Sequence, residues 1–183
     1  AKGNWKEAKR WTEHAIIMNN GEKVNFGVNR CLNALSYNVM SNAVLMEKKD
    51  QIRILAMANF RAGDFSESLP YMKIMEEGIG DPVTLEDLQF QPENRASLQT
   101  ARTLVMNARQ LFPDEIIFQD LEAQLLFFSG NIIQSVEKYE AILKNQPGRI
   151  SALIGLSQSY RHQNRVQDSV KLMSNALILS KSN

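Results

Sequence analysis

The feature that most constrains this chain is internal repetition. Four short stretches share one pattern: Gly3-Asn4-Trp5-Lys6-Glu7-Ala8, Gly63-Asp64-Phe65-Ser66-Glu67-Ser68, Gly130-Asn131-Ile132-Ile133-Gln134-Ser135 and Asn164-Arg165-Val166-Gln167-Asp168-Ser169. Each reads as a turn residue, a polar residue, a large apolar residue, two mostly polar residues and a small one. Self-similarity at a fixed period marks a repeat architecture, in which each unit buries its apolar face only by packing on its neighbours.

The last two copies stand 34 residues apart, the middle pair 67 and the first pair 60, so the period is about 34 with room for one further unit in each longer gap. Sliding residues 116–149 onto 150–183 brings Ala123 onto Ser157, Leu126 onto Tyr160, Ile132 onto Val166, Val136 onto Val170, Tyr139 onto Met173, Ile142 onto Ala176 and Leu143 onto Leu177. Within each unit the apolar residues fall at helical spacing on two segments, separated by the Gly130 or Asn164 turn. Each unit is therefore expected to be a helix hairpin. Ala123 or Ser157 on the first helix and Ser135 or Ser169 on the second let the two backbones approach closely. Leu126, Tyr139, Tyr160 and Met173 fill the spaces between units. Pro147 and Pro113 should each end a helix, because the residue before a proline is biased away from the helical region.

At this point the residues resemble the tetratricopeptide repeat family. Its 34-residue helix-turn-helix unit carries small residues near positions eight and twenty, an aromatic near twenty-four and Pro near thirty-two. Ala123, Ser135, Tyr139 and Pro147 fit that pattern, as do Leu156, Ser157, Tyr160, Ser169 and Ala176, and, with a more eroded second helix, Leu55, Ala56, Gly63, Phe65 and Ser68. In 3–20, Ala8 and Ala15 sit in register. The resemblance implies an all-α protein, an α-solenoid of antiparallel helix hairpins coiled into a right-handed superhelix. It divides the single array 1–183 into a half repeat (3–20), an irregular helical segment (21–48), a repeat (49–81), a degenerate repeat (82–115) and two clear repeats (116–149 and 150–183).

Two regions depart from the pattern. The 21–48 segment carries one apolar stripe, Val28, Leu32, Leu35, Val39, Ala43 and Met46, which suits one long helix from about Phe26. In 82–115, Pro92 stands where a first helix would run. The expectation there is a short helix over 84–89 and a longer one over 93–111 that keeps Ala101 and Ala108 in register. The first stretch matches only a second helix, and the last helix ends the chain with Val170, Met173, Leu177 and Ile178 near one apolar side. These ends lead to the expectation of a piece of a longer repeat protein, or of self-association through exposed end helices.

Catalysis needs convergent titratable or metal-binding groups, and the chain offers few. It contains two His and one Cys. His14 and His162 lack an i, i+4 His partner or a spaced Cys and read as solvated or helix-end histidines. Cys31 lies on a helical stripe beside Leu32 and Leu35, reads as a buried structural thiol, and leaves the compartment open. No phosphate loop, dinucleotide fingerprint or serine-hydrolase elbow occurs. The expectation is a non-enzyme with no cofactor and no metal. With 21 Lys plus Arg against 20 Asp plus Glu, no basic patch drives nucleic-acid binding. The apolar runs are far shorter than the roughly 20 residues of a membrane span.

The resemblance also implies where a partner would bind. Positions two, five, nine, twelve and thirteen of each first helix line a concave groove. They correspond to Asp50, Arg53, Met57, Phe60 and Arg61; to Ile117, Asp120, Gln124, Phe127 and Phe128; and to Ser151, Ile154, Gln158, Arg161 and His162, with Glu86 and Phe90 from the irregular unit. Aromatic, amide and Arg side chains on one face suit a protein or peptide partner. The residues expected to carry binding are Arg53, Met57, Phe60, Arg61, Asp120, Gln124, Phe127, Phe128, Gln158 and Arg161. The Lys and Asn set with which some family members hold chaperone C-terminal carboxylates is replaced here by Arg53 with Met57 and Asp120 with Gln124. The leading expectation is a noncatalytic interaction scaffold that helps to assemble a larger complex. The alternatives are a chaperone for secreted or assembling subunits and, disfavoured by charge, an RNA-binding hairpin array.

Overall fold

A computed structural model describes residues 42–79 and 82–181, all of them helix, turn or irregular backbone with no strand. The chain divides into two compact units between Asp81 and Pro82. The half repeat expected at 3–20, the long helix expected from Phe26 as far as residue 41, His14 and Cys31 lie outside the described residues.

In the first unit, α1 spans Asn42–Ala62 and α2 spans Phe65–Lys73. The repeat boundary expected at 48/49 falls inside α1, which runs through it unbroken. The chain reverses at Gly63, whose φ of +85° is open to glycine because it has no Cβ to clash. Gly63 N–H donates to the Phe60 carbonyl at 3.1 Å and Asp64 N–H to the Asn59 carbonyl at 2.9 Å, the paired bonds of a Schellman cap. Pro70 lies inside α2, where it supplies no amide hydrogen. From Ile74 to Ile79 the chain winds as a π-helix, so the eroded second helix expected here is a short α-helix with a wider continuation.

The second unit holds five helices: α3 (Arg95–Leu111), α4 (Ile116–Phe128), α5 (Ile132–Asn145), α6 (Ile150–His162) and α7 (Val166–Ser180). Each packs on the next, and α4 also meets α6. Pro113 and Pro147 follow the ends of α3 and α5 by two residues, as their stereochemistry requires. Ala101 and Ala108 are fully buried on α3. That helix starts at Arg95 rather than residue 93, because the Asn94 side chain accepts the Ala96 and Ser97 N–H groups at 3.0 and 3.1 Å and fixes the N-terminus.

The short helix expected over 84–89 is a single capped turn. Thr84 N–H and Oγ1 both donate to Asp87 Oδ2, at 3.0 and 2.7 Å, and Asp87 N–H donates back to Thr84 Oγ1 at 3.1 Å. This reciprocal cap starts a turn that ends at once. Gln89 has φ of +55°, and the Phe90 N–H reaches the Leu85 carbonyl at 2.9 Å.

One closing device recurs. Gly63, Gln89, Gly130 and Asn164 are the only positive-φ positions among the described residues, and each is followed by an amide that donates back across five residues. In the three hairpins a buried serine then joins the two helices twelve positions apart. Ser68 donates to the Ala56 carbonyl at 2.8 Å, Ser135 to the Ala123 carbonyl at 3.1 Å, and Ser157 to the Ser169 carbonyl at 3.0 Å. A larger side chain at any of these sites would part the backbones and leave a carbonyl without its partner.

Candidate functional site

The expected binding residues separate into three environments. Met57 and Phe60 are core side chains rather than lining residues: Phe60 is fully buried, with its ring edge-on to Phe65 at 5.2 Å. The physical reason is that the pair closes the α1–α2 hairpin, where an aromatic buries more area than it would on a surface. Arg53 and Arg61 are half-buried on the same helix, and burial lowers the pKa of the Arg61 guanidinium.

Asp120 and Gln124, on α4, are structural as well. Asp120 is buried, with Oδ2 accepting from Ser151 Oγ at 2.6 Å and paired with Arg149 Nε. Its Oδ1 meets no donor. Burial pushes the Asp120 carboxyl above the usual range, outweighing the opposing pull of Arg149 and Ser151. Asp120 thus pins α4 to the start of α6. The same buried charge, added to desolvation, raises the pKa of the Tyr139 hydroxyl.

Gln124 holds a different part of the chain. Its Oε1 accepts the Leu85 N–H at 3.0 Å, and its Nε2 donates to the Val83 carbonyl at 3.0 Å. One planar amide therefore reads two backbone groups of the segment that leads into the 84–89 turn. Val83, Leu85, Leu88 and Phe90 of that segment are buried. Sequence reasoning took Glu86 and Phe90 as lining residues of a degenerate hairpin and missed that this stretch is held on α4. The signal available was the pair Pro82 and Pro92, which bracket the stretch and leave it too short for a full first helix.

The remaining predicted residues gather on α4 and α6. Phe127 is half-buried between the Phe128 ring, 5.3 Å away, and the His162 ring, 5.0 Å away, both edge-on. Phe128 is 37% exposed, and Gln158, Arg161 and His162 are exposed. Arg161 has no ion-pair partner among the described residues. The result is a solvent-facing patch of aromatic rings, one amide and one guanidinium on two helices in contact. Nearby, Tyr160 is held from both sides: its hydroxyl donates to Glu140 at 2.7 Å and the Arg165 guanidinium lies 3.6 Å above its ring.

Elsewhere α7 exposes Val170, Met173, Leu177 and Ile178, so the apolar side read from the sequence faces solvent among the described residues. Within them, no group of three His, Cys, Asp or Glu is placed to hold a metal ion, and no helix is long and apolar enough to cross a membrane. Fold and patch define an all-helical protein of tightly closed hairpins with a polar-aromatic surface. In comparisons with known proteins, no family model and no curated protein matched the chain.

Proposed function

We propose that this protein is a noncatalytic interaction scaffold of the tetratricopeptide kind, a solenoid of hairpins that holds a peptide or partner protein on its first helices. The observation that carries this reading is the exposed patch formed by Phe127, Phe128, Gln158, Arg161 and His162 on adjacent first helices. Rigid aromatic rings bury area at low entropic cost, and a guanidinium adds directional pairing to carboxylates. The recurrent closing of three hairpins supports the solenoid, since a bundle of unrelated helices has no reason to repeat one cap and a serine bond across one spacing, donated from the second helix in two hairpins and from the first in the third.

The test is capture of partners from source cells by this chain and by a Phe128→Ala, Arg161→Ala variant of unchanged helicity. A partner held by the first and lost by the second is the expected result. Retention by both would move binding off this patch, and capture by neither would overturn the reading.

A further inference from the structure

The open side of α7 carries Val166, Val170, Met173 and Leu177, each between 43% and 57% exposed and spaced four, three and four residues apart. That spacing sets them in one row along the helix, the seam of a paired helix rather than the broader stripe of a helix lying on a core. Asp168 and Lys171, the charged residues within α7, lie off the row, and Asp168 is held by the Arg165 guanidinium at 2.9 Å. We propose that this face pairs with the same face of a second copy of the chain, the two α7 helices running antiparallel with Val170 of each against Met173 of the other. None of these residues belongs to the patch on α4 and α6, so the pairing stands apart from the scaffold reading.

The occupant follows from size and charge. One period earlier, α5 uses the equivalent positions, Val136 and Tyr139, to hold α6, and both are buried there. That contact depends on Gly155, because the Tyr139 ring lies where a Cβ would stand. α7 has Met173 in place of the tyrosine, an unbranched side chain that adapts to its neighbour and demands no glycine opposite. Turned antiparallel about the midpoint of Val170 and Met173, the row meets itself with Val166 on Leu177 and Val170 on Met173, each layer repeated by the twofold axis. Every layer then sets a longer side chain against a β-branched one, so the surface is its own complement, as an isologous contact requires. A parallel pair would instead set Met173 on Met173 and Val170 on Val170, overfilling one layer and leaving the next slack. No charge enters any layer. A seam of about two heptads covers less than the ~800 Å² a side of a standard stable interface, so the pair is reversible, with a dissociation constant in the micromolar range.

Sedimentation equilibrium of the full chain across micromolar concentrations is the test. The expected result is a concentration-dependent rise from the 20.8 kDa monomer toward twice that mass and no further. Val170→Glu and Met173→Lys should each weaken association at least about tenfold, because a dimer of either variant buries two unpaired charges. Both positions are exposed, so the circular dichroism of the monomer should not change. Mixing the two variants should restore association, since the antiparallel register then sets the introduced carboxylate against the introduced ammonium in one layer and keeps Val170 on Met173 in the other.

A mass that stays at the monomer value throughout would overturn the proposal and leave this face to a helix of another protein. Growth beyond two copies would also overturn it, because that marks a head-to-tail contact between different surfaces. Association that ignores Val170→Glu, or a mixture that associates no better than either variant alone, would overturn it as well, the first by placing the contact elsewhere and the second by breaking the register. Partner capture with the Phe128→Ala, Arg161→Ala variant decides the scaffold reading separately.

Discussion

Gly155 shows how far one residue can be fixed by its neighbour. It sits inside α6, where glycine is unfavourable by about 1 kcal/mol relative to alanine. A Cβ there would fall within the Tyr139 ring. The Tyr139 side chain is buried with Ala152, Leu156 and Val136, so it has nowhere to retreat. Gly155→Ala should therefore destabilise the protein by about 1–3 kcal/mol despite the better helix propensity. A thermal melt should show a midpoint lower by several degrees. The same substitution on a Tyr139→Leu background should lose most of its effect, and an equal penalty on both backgrounds would show that the ring is not the cause. In sequence, a glycine within a helical pattern signals only that some close approach exists; its partner was legible only once α5 lay against α6.

Between elements, the coupling of α4 to α6 runs through Asp120, Arg149 and Ser151. The Asp120 carboxyl is raised above its ordinary range by burial, so the folded state binds its proton more tightly than the unfolded state does. The sign follows from linkage: this group's contribution is fully present below the ordinary carboxylate range and is lost as pH rises through the raised folded value. The stability of the protein relative to an Asp120→Asn variant should thus fall with rising pH across that window and level off above it, as read by denaturant titration at several pH values. A difference that grows with pH would mean that the attraction of Arg149 outweighs the cost of burial. At this scale helix ends were the most readable feature, because Pro113, Pro147, Gly63, Gly130 and Asn164 act through local backbone geometry. The single turn at 84–89 was expected as a helix because it stands in the place of a repeat's first helix, cut short by Pro92, and its reciprocal Thr84–Asp87 cap does start a helical turn. Its stop at Gln89 carries no glycine to announce it.

For the molecule as a whole, the division between Asp81 and Pro82 leaves 82–183 with its own core, built from α3 to α7 and the segment that Gln124 holds. Expressed alone, those residues should keep their helical circular dichroism and unfold in one cooperative thermal transition; a broad, non-cooperative melt would show that they need the rest of the chain. What the sequence by itself determined is whatever recurs at a fixed offset: the helical class, the hairpin reversals, and the small residues Ala56, Ser68, Ala123, Ser135, Ser157 and Ser169 at the crossing points. These follow from backbone stereochemistry and from the size limit where two helices touch, both of which are local. Tertiary structure alone decided which members of the expected binding face stay open. Equivalent repeat positions meet different neighbours, so Phe60 closes a core, Asp120 finds Arg149 and Gln124 takes up its own chain. Phe128, Gln158 and Arg161 are left facing solvent, since burial depends on what packs opposite and not on the residue's place in the repeat.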